Sequence, residues 1–331
     1  VNIVYLLGNG FDINLGMKTR YNDFYENYLK KESKSTLVEK LKSNIFDNVV
    51  NWSDLELALG KYTTEFQSVS DFDEVYDDIV NNLCDYLDEE SATYDFSSLR
   101  LDIFLKNLCY PELFLTEADI NEFFTYKKKW RVEDKKINII NFNYTKSVKK
   151  IIEKHNFNTP IETDGYSKYY LKELLHIHGF TNERTILGVN DLSQVGNTKF
   201  YNDTDFIEAL IKIESNSSLR HNVDKKSEQL INHADLICIF GCSLGETDKY
   251  WWQLIATNLR RGIKVIIFFR TEEQNRRLGH KVLRVQRAVK KLFLDMSDLN
   301  EEDKEKFGQN LYIKINAEIF QLTKNEQSIA S

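Results

Sequence analysis

Residues 3–7, Ile-Val-Tyr-Leu-Leu, form an unbroken apolar run that ends in Gly8-Asn9-Gly10. A strand that is apolar at every position has both faces covered, which is the condition of a strand inside a parallel sheet. Asp12 and Gly16 follow before a long stretch of helical periodicity, so the chain reads as strand, glycine turn, helix. In parallel sheets such turns receive nucleotide phosphates at the helix N-terminus. Gly8 and Gly10 would let the backbone approach a ligand closely, having no side chain to obstruct it. The spacing departs from the dinucleotide fingerprint, because Ile13 stands where a third glycine is required.

Residues 17 to about 134 are almost entirely of helical pattern, and a second buried strand then begins at Lys135. From there strands and helices alternate. Residues 174–178, 185–189, 236–240, 264–269 and 311–315 read as strands, and 146–155, 203–215, 224–233, 246–259 and 271–293 as helices. The expected fold is α/β, a Rossmann-like, mostly parallel sheet with a large helical insertion. Residues 1–30 and 135–320 would form the sheet domain, 31–134 the insertion and 321–331 a tail.

Bulk properties narrow the function. The net charge of −7 gives no overall pull toward nucleic acid or anionic membrane, and the longest apolar runs are too short to span a bilayer. The chain enters a strand without a basic leader, and its four cysteines form no CxxC pair. We therefore expect a cytoplasmic protein with reduced thiols and no zinc. Residues 71–95 hold ten acidic side chains and no lysine or arginine, the pattern of a solvated helical face or a docking surface for a basic partner. Arg276, Arg277, Lys281, Arg284, Arg287, Lys290 and Lys291 make the late helix basic, and Leu278, Val282, Val285, Val289 and Leu292 are its expected apolar stripe. Through residues 271–292 it could meet nucleic acid or the acidic insertion of a second subunit.

Three further motifs follow strands. Asn143, in Asn141-Phe-Asn-Tyr-Thr145, lies at a strand end, where it could orient water or a ribose hydroxyl, or cap the next helix with Thr145. In His176-Ile-His178-Gly179, strand alternation puts both histidines on one face. His178, beside a glycine that admits substrate, suits proton abstraction from a hydroxyl, and His176 suits a core role. Gly241-Cys-Ser243-Leu244-Gly245 has the spacing of a nucleophile elbow, but only His280 follows it, inside the late helix. As a phosphate or ribose site it needs only backbone amides and the Ser243 hydroxyl, with Asp248 capping the next helix or holding a ribose.

In order, Gly8-x-Gly10 with Gly16, Asn143, His178-Gly179 and Gly241-x-Ser243-Leu244 resemble the sirtuin-type NAD-binding fold. The segment from Leu7 to Phe24 resembles the opening of the AbiH family of bacterial abortive-infection proteins, and the later motifs match it too. These resemblances imply NAD as substrate, with Asn143 and His178 catalytic. Gly8, Asn9, Gly10, Asp12, Gly16, Thr145, Gly241, Ser243, Leu244 and Asp248 would bind the dinucleotide. The chain departs from deacylating sirtuins in having no four-cysteine zinc module, Asp12 where they tend to have serine, and Thr145 where they tend to have aspartate. The implied activity is NAD hydrolysis that starves an infected cell, held off until an oligomer or a phage-derived trigger releases it. Two alternatives are a nuclease using the basic helix and Asp191, and a sensor that binds a nucleotide or phage protein without catalysis.

Overall fold

The computed structural model describes residues 1–271 and 279–323. Among the described residues seven strands form one sheet: β1 (Asn2–Leu7), β2 (Lys135–Asn141), β3 (Glu162–Asp164), β4 (Ser167–His176), β5 (Leu236–Phe240), β6 (Lys264–Phe269) and β7 (Leu311–Ile315). Their order is β3-β4-β2-β1-β5-β6-β7. Every neighbouring pair is parallel except the β3–β4 hairpin. The fold is thus mixed α/β with a mostly parallel sheet, as the strand pattern predicts.

β1 is central because both its faces are apolar. Ile3, Tyr5 and Leu7 join one core with Ile137, Ile139, Cys238 and Phe268, covered by Phe104, Leu108, Phe123 and Trp130. Val4 and Leu6 face the opposite core with Ile237, Ile239 and Ile267, covered by Trp252, Ile255 and Phe293. The Tyr5 hydroxyl in the first set is satisfied by the carbonyls of Leu108 at 3.0 Å and Asn107 at 3.2 Å.

The helical block packs in two parts. Its later helices, Leu101–Cys109 and Glu117–Lys127, lie on the sheet. Its earlier ones, among them Leu55–Tyr62 and the long Val69–Thr93, build a third core with Leu187, Val189, Phe206 and Leu210 from beyond β4.

Several expected elements differ in extent. The strand expected at 174–178 begins already at Ser167 and stops at His176, and the short β3 was not anticipated. Residues 185–189 form no strand, Val189 making a single bridge to Ile211. The helix expected at 203–215 breaks at Ile211, whose extended backbone separates Thr204–Leu210 from Lys212–Ser218. The helix expected at 146–155 is only Ser147–Ile152. The late helix spans Gly279–Asp295, and Arg276, Arg277 and Leu278 lie outside the described residues. Its stripe is out of phase at one end: Leu292 is 45% exposed and Phe293 is buried in its place, continuing the i, i+4 row from Val285 and Val289. Among the described residues no helix is long and apolar enough to cross a membrane.

Candidate functional site

The register aligns the carboxyl ends of five strands. Leu7 pairs with Asn141 and with Phe240, Asn141 with His176, and Phe240 with Phe268. The chain runs from β1 outward to β2 and β4, then returns to build β5, β6 and β7 on the other side. The order therefore reverses between β1 and β5, and crevices at such reversals are where open α/β sheets bind ligands. A cleft of about 790 Å³ opens there, lined by residues that follow β1, β2, β4, β5 and β6. Strands lie about 4.8 Å apart, so the row from β4 to β6 is about 19 Å long, enough for a ligand with two distinct ends.

Gly8 and Gly10 line this cleft, and they also join two turns. Gly8 donates to the Phe240 carbonyl at 2.9 Å and Gly10 to that of Gly241 at 2.8 Å. A Cβ on Gly10 would stand 2.5 Å from the Gly241 Cα, and Gly241 itself has φ +71°. The amides of both glycines are thus engaged within the protein, and the close approach they permit is between β1 and β5. Asn9 is pinned to Thr19, donating to its carbonyl at 2.7 Å and accepting from its hydroxyl at 2.6 Å. Gly16 does not line the cleft; at φ +94° it ends the helix Gly10–Leu15.

At the Gly241 turn, Ser243 is exposed to the cleft, whereas Leu244 is buried in the core with φ +56°. Any contact from Leu244 is therefore through its backbone. No hydrogen bond joins Ser243 to His178, whose Nε2 is taken by Asp248, so the elbow spacing carries no triad here. Arg270 stands at the β6 end, donating to Asn14 at 3.0 Å.

Asp12 is wholly buried in the first turn of its helix. Thr145 donates to one carboxylate oxygen at 2.5 Å and Ser147 to the other. The two predicted binding residues Asp12 and Thr145 are thus partners of one another. Asn143 is also buried, and neither of its side-chain polar atoms reaches a hydrogen-bond partner. It caps nothing: the helix Ser147–Ile152 begins after Lys146, without a side-chain cap.

The two histidines part company because β4 stops at His176. His176 bonds Asn141 through Nδ1 at 3.2 Å, lies against Phe180, and burial pushes its imidazole down to about 3. It is a neutral core residue outside the cleft lining. His178 lines the cleft, its Nε2 3.1 Å from Asp248 Oδ1 and its Nδ1 buried without a partner. Gly179, at φ +73°, turns the chain directly afterwards, and a Cβ there would fall 1.8 Å from the Arg184 carbonyl oxygen. This glycine serves the turn that presents His178.

The profile of the family described as bacteriophage abortive infection AbiH matches residues 4–269. The chain belongs to the AbiH family. Comparison with curated proteins finds no match. All five strand ends that meet at the cleft lie within the AbiH match, which ties the chain to abortive infection against phage.

Three residues of this AbiH site were not singled out from the sequence. Asp248 Oδ1 also accepts from Lys212 Nζ at 2.8 Å, and the same ammonium donates to Glu56 Oε2 at 2.8 Å. Glu56 Oε1 in turn accepts from the Tyr144 hydroxyl at 2.8 Å. Burial opposes ionisation of Asp248, but the Lys212 ammonium beside it and the polar contacts from Lys212 and His178 outweigh it and hold its carboxyl well below the usual range. For Lys212, burial favours the neutral amine, and the two carboxylates more than reverse that. One sequence signal pointed here: Lys212 interrupts the apolar run 209–213. Asp191, the carboxylate of the nuclease alternative, lies outside the cleft lining and caps Leu192–Gln194, accepting from the Ser193 amide at 2.8 Å.

Asp12 gives the first testable consequence. Burial pushes its carboxyl up to about 6 from 3.8, against the hydroxyls of Ser147 and Thr145 and, least of the three, the side-chain amide of Asn143, which pull it down. The native state thus binds this proton more tightly than the unfolded chain does. The stability it contributes is complete below about pH 4 and is lost as pH rises through about 6. At 1.36 kcal/mol per unit the loss is about 3 kcal/mol at most. In urea titrations, Asp12→Asn should therefore gain on the wild type by about 2 kcal/mol between pH 4.5 and pH 8. A difference that stays flat across that range would contradict the assignment.

Proposed function

We propose that this AbiH-family protein hydrolyses the nicotinamide–ribose bond of NAD and so depletes the dinucleotide in phage-infected cells. The observation that carries this reading is a set of three buried polar atoms without partners, Nδ2 and Oδ1 of Asn143 and Nδ1 of His178, on residues that line one cleft. Buried polar groups are almost always paired, so three together beside a cleft mark a place that receives polar ligand atoms. The order of motifs that resembles the sirtuins supports NAD among nucleotides.

Ionised Asp248 can only accept, so neutral His178 carries its proton on Nε2 and a lone pair on Nδ1. In the proposed reaction His178 takes a proton from a ribose hydroxyl while Asn143 holds the attacking water. The C–N bond breaks with its electron pair passing to the cationic ring, which leaves as neutral nicotinamide. The water oxygen bonds to the ribose carbon and its surplus proton passes to the ribose oxygen, so the one proton released is the one His178 took up. Such an activity has to be silent before infection, so an oligomer or a phage-derived trigger belongs to the proposal.

The test is to incubate purified protein with NAD, with and without lysate of phage-infected cells, and to follow nicotinamide by chromatography. Release above that of the lysate alone is expected in at least one condition. None in either would sink the reading.

A further inference from the structure

The imidazole of His178 belongs to a largely buried chain of polar groups that includes a carboxylate of the helical block. In order the chain is His178, Asp248, Lys212, Glu56 and Tyr144, with polar contacts of 3.1, 2.8, 2.8 and 2.8 Å, and all of its members but Lys212 line the cleft. The Tyr144 hydroxyl closes it on the Ile186 carbonyl at 3.1 Å. Each member comes from a different part of the fold. Asp248 belongs to the turn after β5, and Lys212 to the break at Ile211, where its amide is held by the Val189 carbonyl at 3.0 Å. Glu56 sits in the first turn of Leu55–Tyr62, a helix whose start is capped by Asp54. One ammonium is therefore shared between a carboxylate that touches His178 and a carboxylate that belongs to the helical block.

Buried ion pairs seldom repay their desolvation, so stability alone is a poor reason for a chain of four ionisable groups to end on a cleft imidazole. We propose that Glu56 and Lys212 are positioning residues for His178, acting through Asp248, so that the helical block supplies a working part of the site. Glu56 limits how far Lys212 neutralises Asp248, and Asp248 in turn holds the Nε2 proton and the ring orientation. This assignment rests on the reading of His178 as the reacting base, yet it can be tested without turnover.

The charged and titratable groups packed about His178 are Asp248, Lys212, Glu56 and Tyr144, the last with its ring 6.3 Å from the imidazole. Tyr21 stands one layer further out, within electrostatic reach of Glu56, Asp54 and Asp248, and the Cys242 thiol is within reach of Asp248. Glu56→Gln removes an anion from this group and Lys212→Met removes a cation. The two variants should therefore move the protonation of residue 178 in opposite directions.

Histidine labelled with ¹⁵N reads this out, the residue 178 signals being those missing from His178→Ala. The titration midpoint of these signals should fall in Glu56→Gln and rise in Lys212→Met, each by about half a pH unit or more. A merely structural role would leave both midpoints in place or move both the same way, and either result overturns the proposal. If Lys212→Met does not fold, Glu56→Gln decides alone: a fall supports the chain, and no change or a rise refutes it. Opposed shifts without NAD cleavage would keep the chain and discard the reaction. Cleavage without opposed shifts would do the reverse.

Discussion

His178→Ala is expected to lower nicotinamide release by about 10²–10⁴-fold, the usual contribution of a positioned acid–base group. Asn143→Ala should fall by a similar factor, because an unheld water must find the reacting carbon by chance. The stability of these variants is what gives the prediction its edge. The Asn143 side chain makes no hydrogen bond, although both of its polar atoms are buried. The amide's one influence is a minor one on the Asp12 carboxyl, which Ser147 and Thr145 continue to hold, so Asn143→Ala should unfold in urea close to the wild-type midpoint. Activity lost with stability kept is the signature of a side chain retained for a ligand. Activity and stability falling together in Asn143→Ala would mean that the amide serves the fold. Full turnover in His178→Ala would remove the base from the mechanism.

Lys212→Met should destabilise the protein by about 3–5 kcal/mol at pH 7, the cost of breaking a buried pair by deleting one partner. The lysine is 5% exposed and is within 2.8 Å of two carboxylates. Without it Glu56 and Asp248 face each other across a methionine, each having lost its ammonium. Glu56→Gln in the same chain removes one of the two negative charges and should recover a measurable part of the loss. Urea denaturation of the two single variants and the double variant forms a cycle that isolates this coupling. If the double variant is no more stable than Lys212→Met, the two carboxylates do not share the lysine in the way described.

Much of the sheet is legible in the residues themselves. Residues 236–240 and 265–269 read as strands because burial on both faces leaves unbroken apolar runs, and 311–315 reads as one despite Lys314 at the sheet edge; the bounds of all three strands match the structure. β4 is read short because Lys168, Lys172 and Glu173 break its apolar pattern. Asn143 and His178 could be found because each follows a strand end, and local pattern locates strand ends. Of the two roles read for Asp248, the helix cap is not made: its side chain instead holds the imidazole. Glu56 and Lys212 lie 156 residues apart, and only the third core, which no local pattern announces, brings them together. The paired glycine turns show the same limit. Their sequence marks a close approach, and only the fold reveals that one such approach is to a neighbouring turn, at the Gly10–Gly241 contact.

The placement of β1 between β2 and β5 sets a timetable for synthesis. Residues 2–7 leave the ribosome well before either neighbour, since their partners are residues 135–141 and 236–240. At about 5–20 residues per second the second partner follows roughly ten to fifty seconds later. Through that interval a row of apolar side chains waits unpaired, a natural client for a chaperone, and such distant parallel pairing is slow in itself. A nascent chain interrupted before residue 240 lacks one wall of the crevice, so whatever this cleft does, a half-made copy cannot do it.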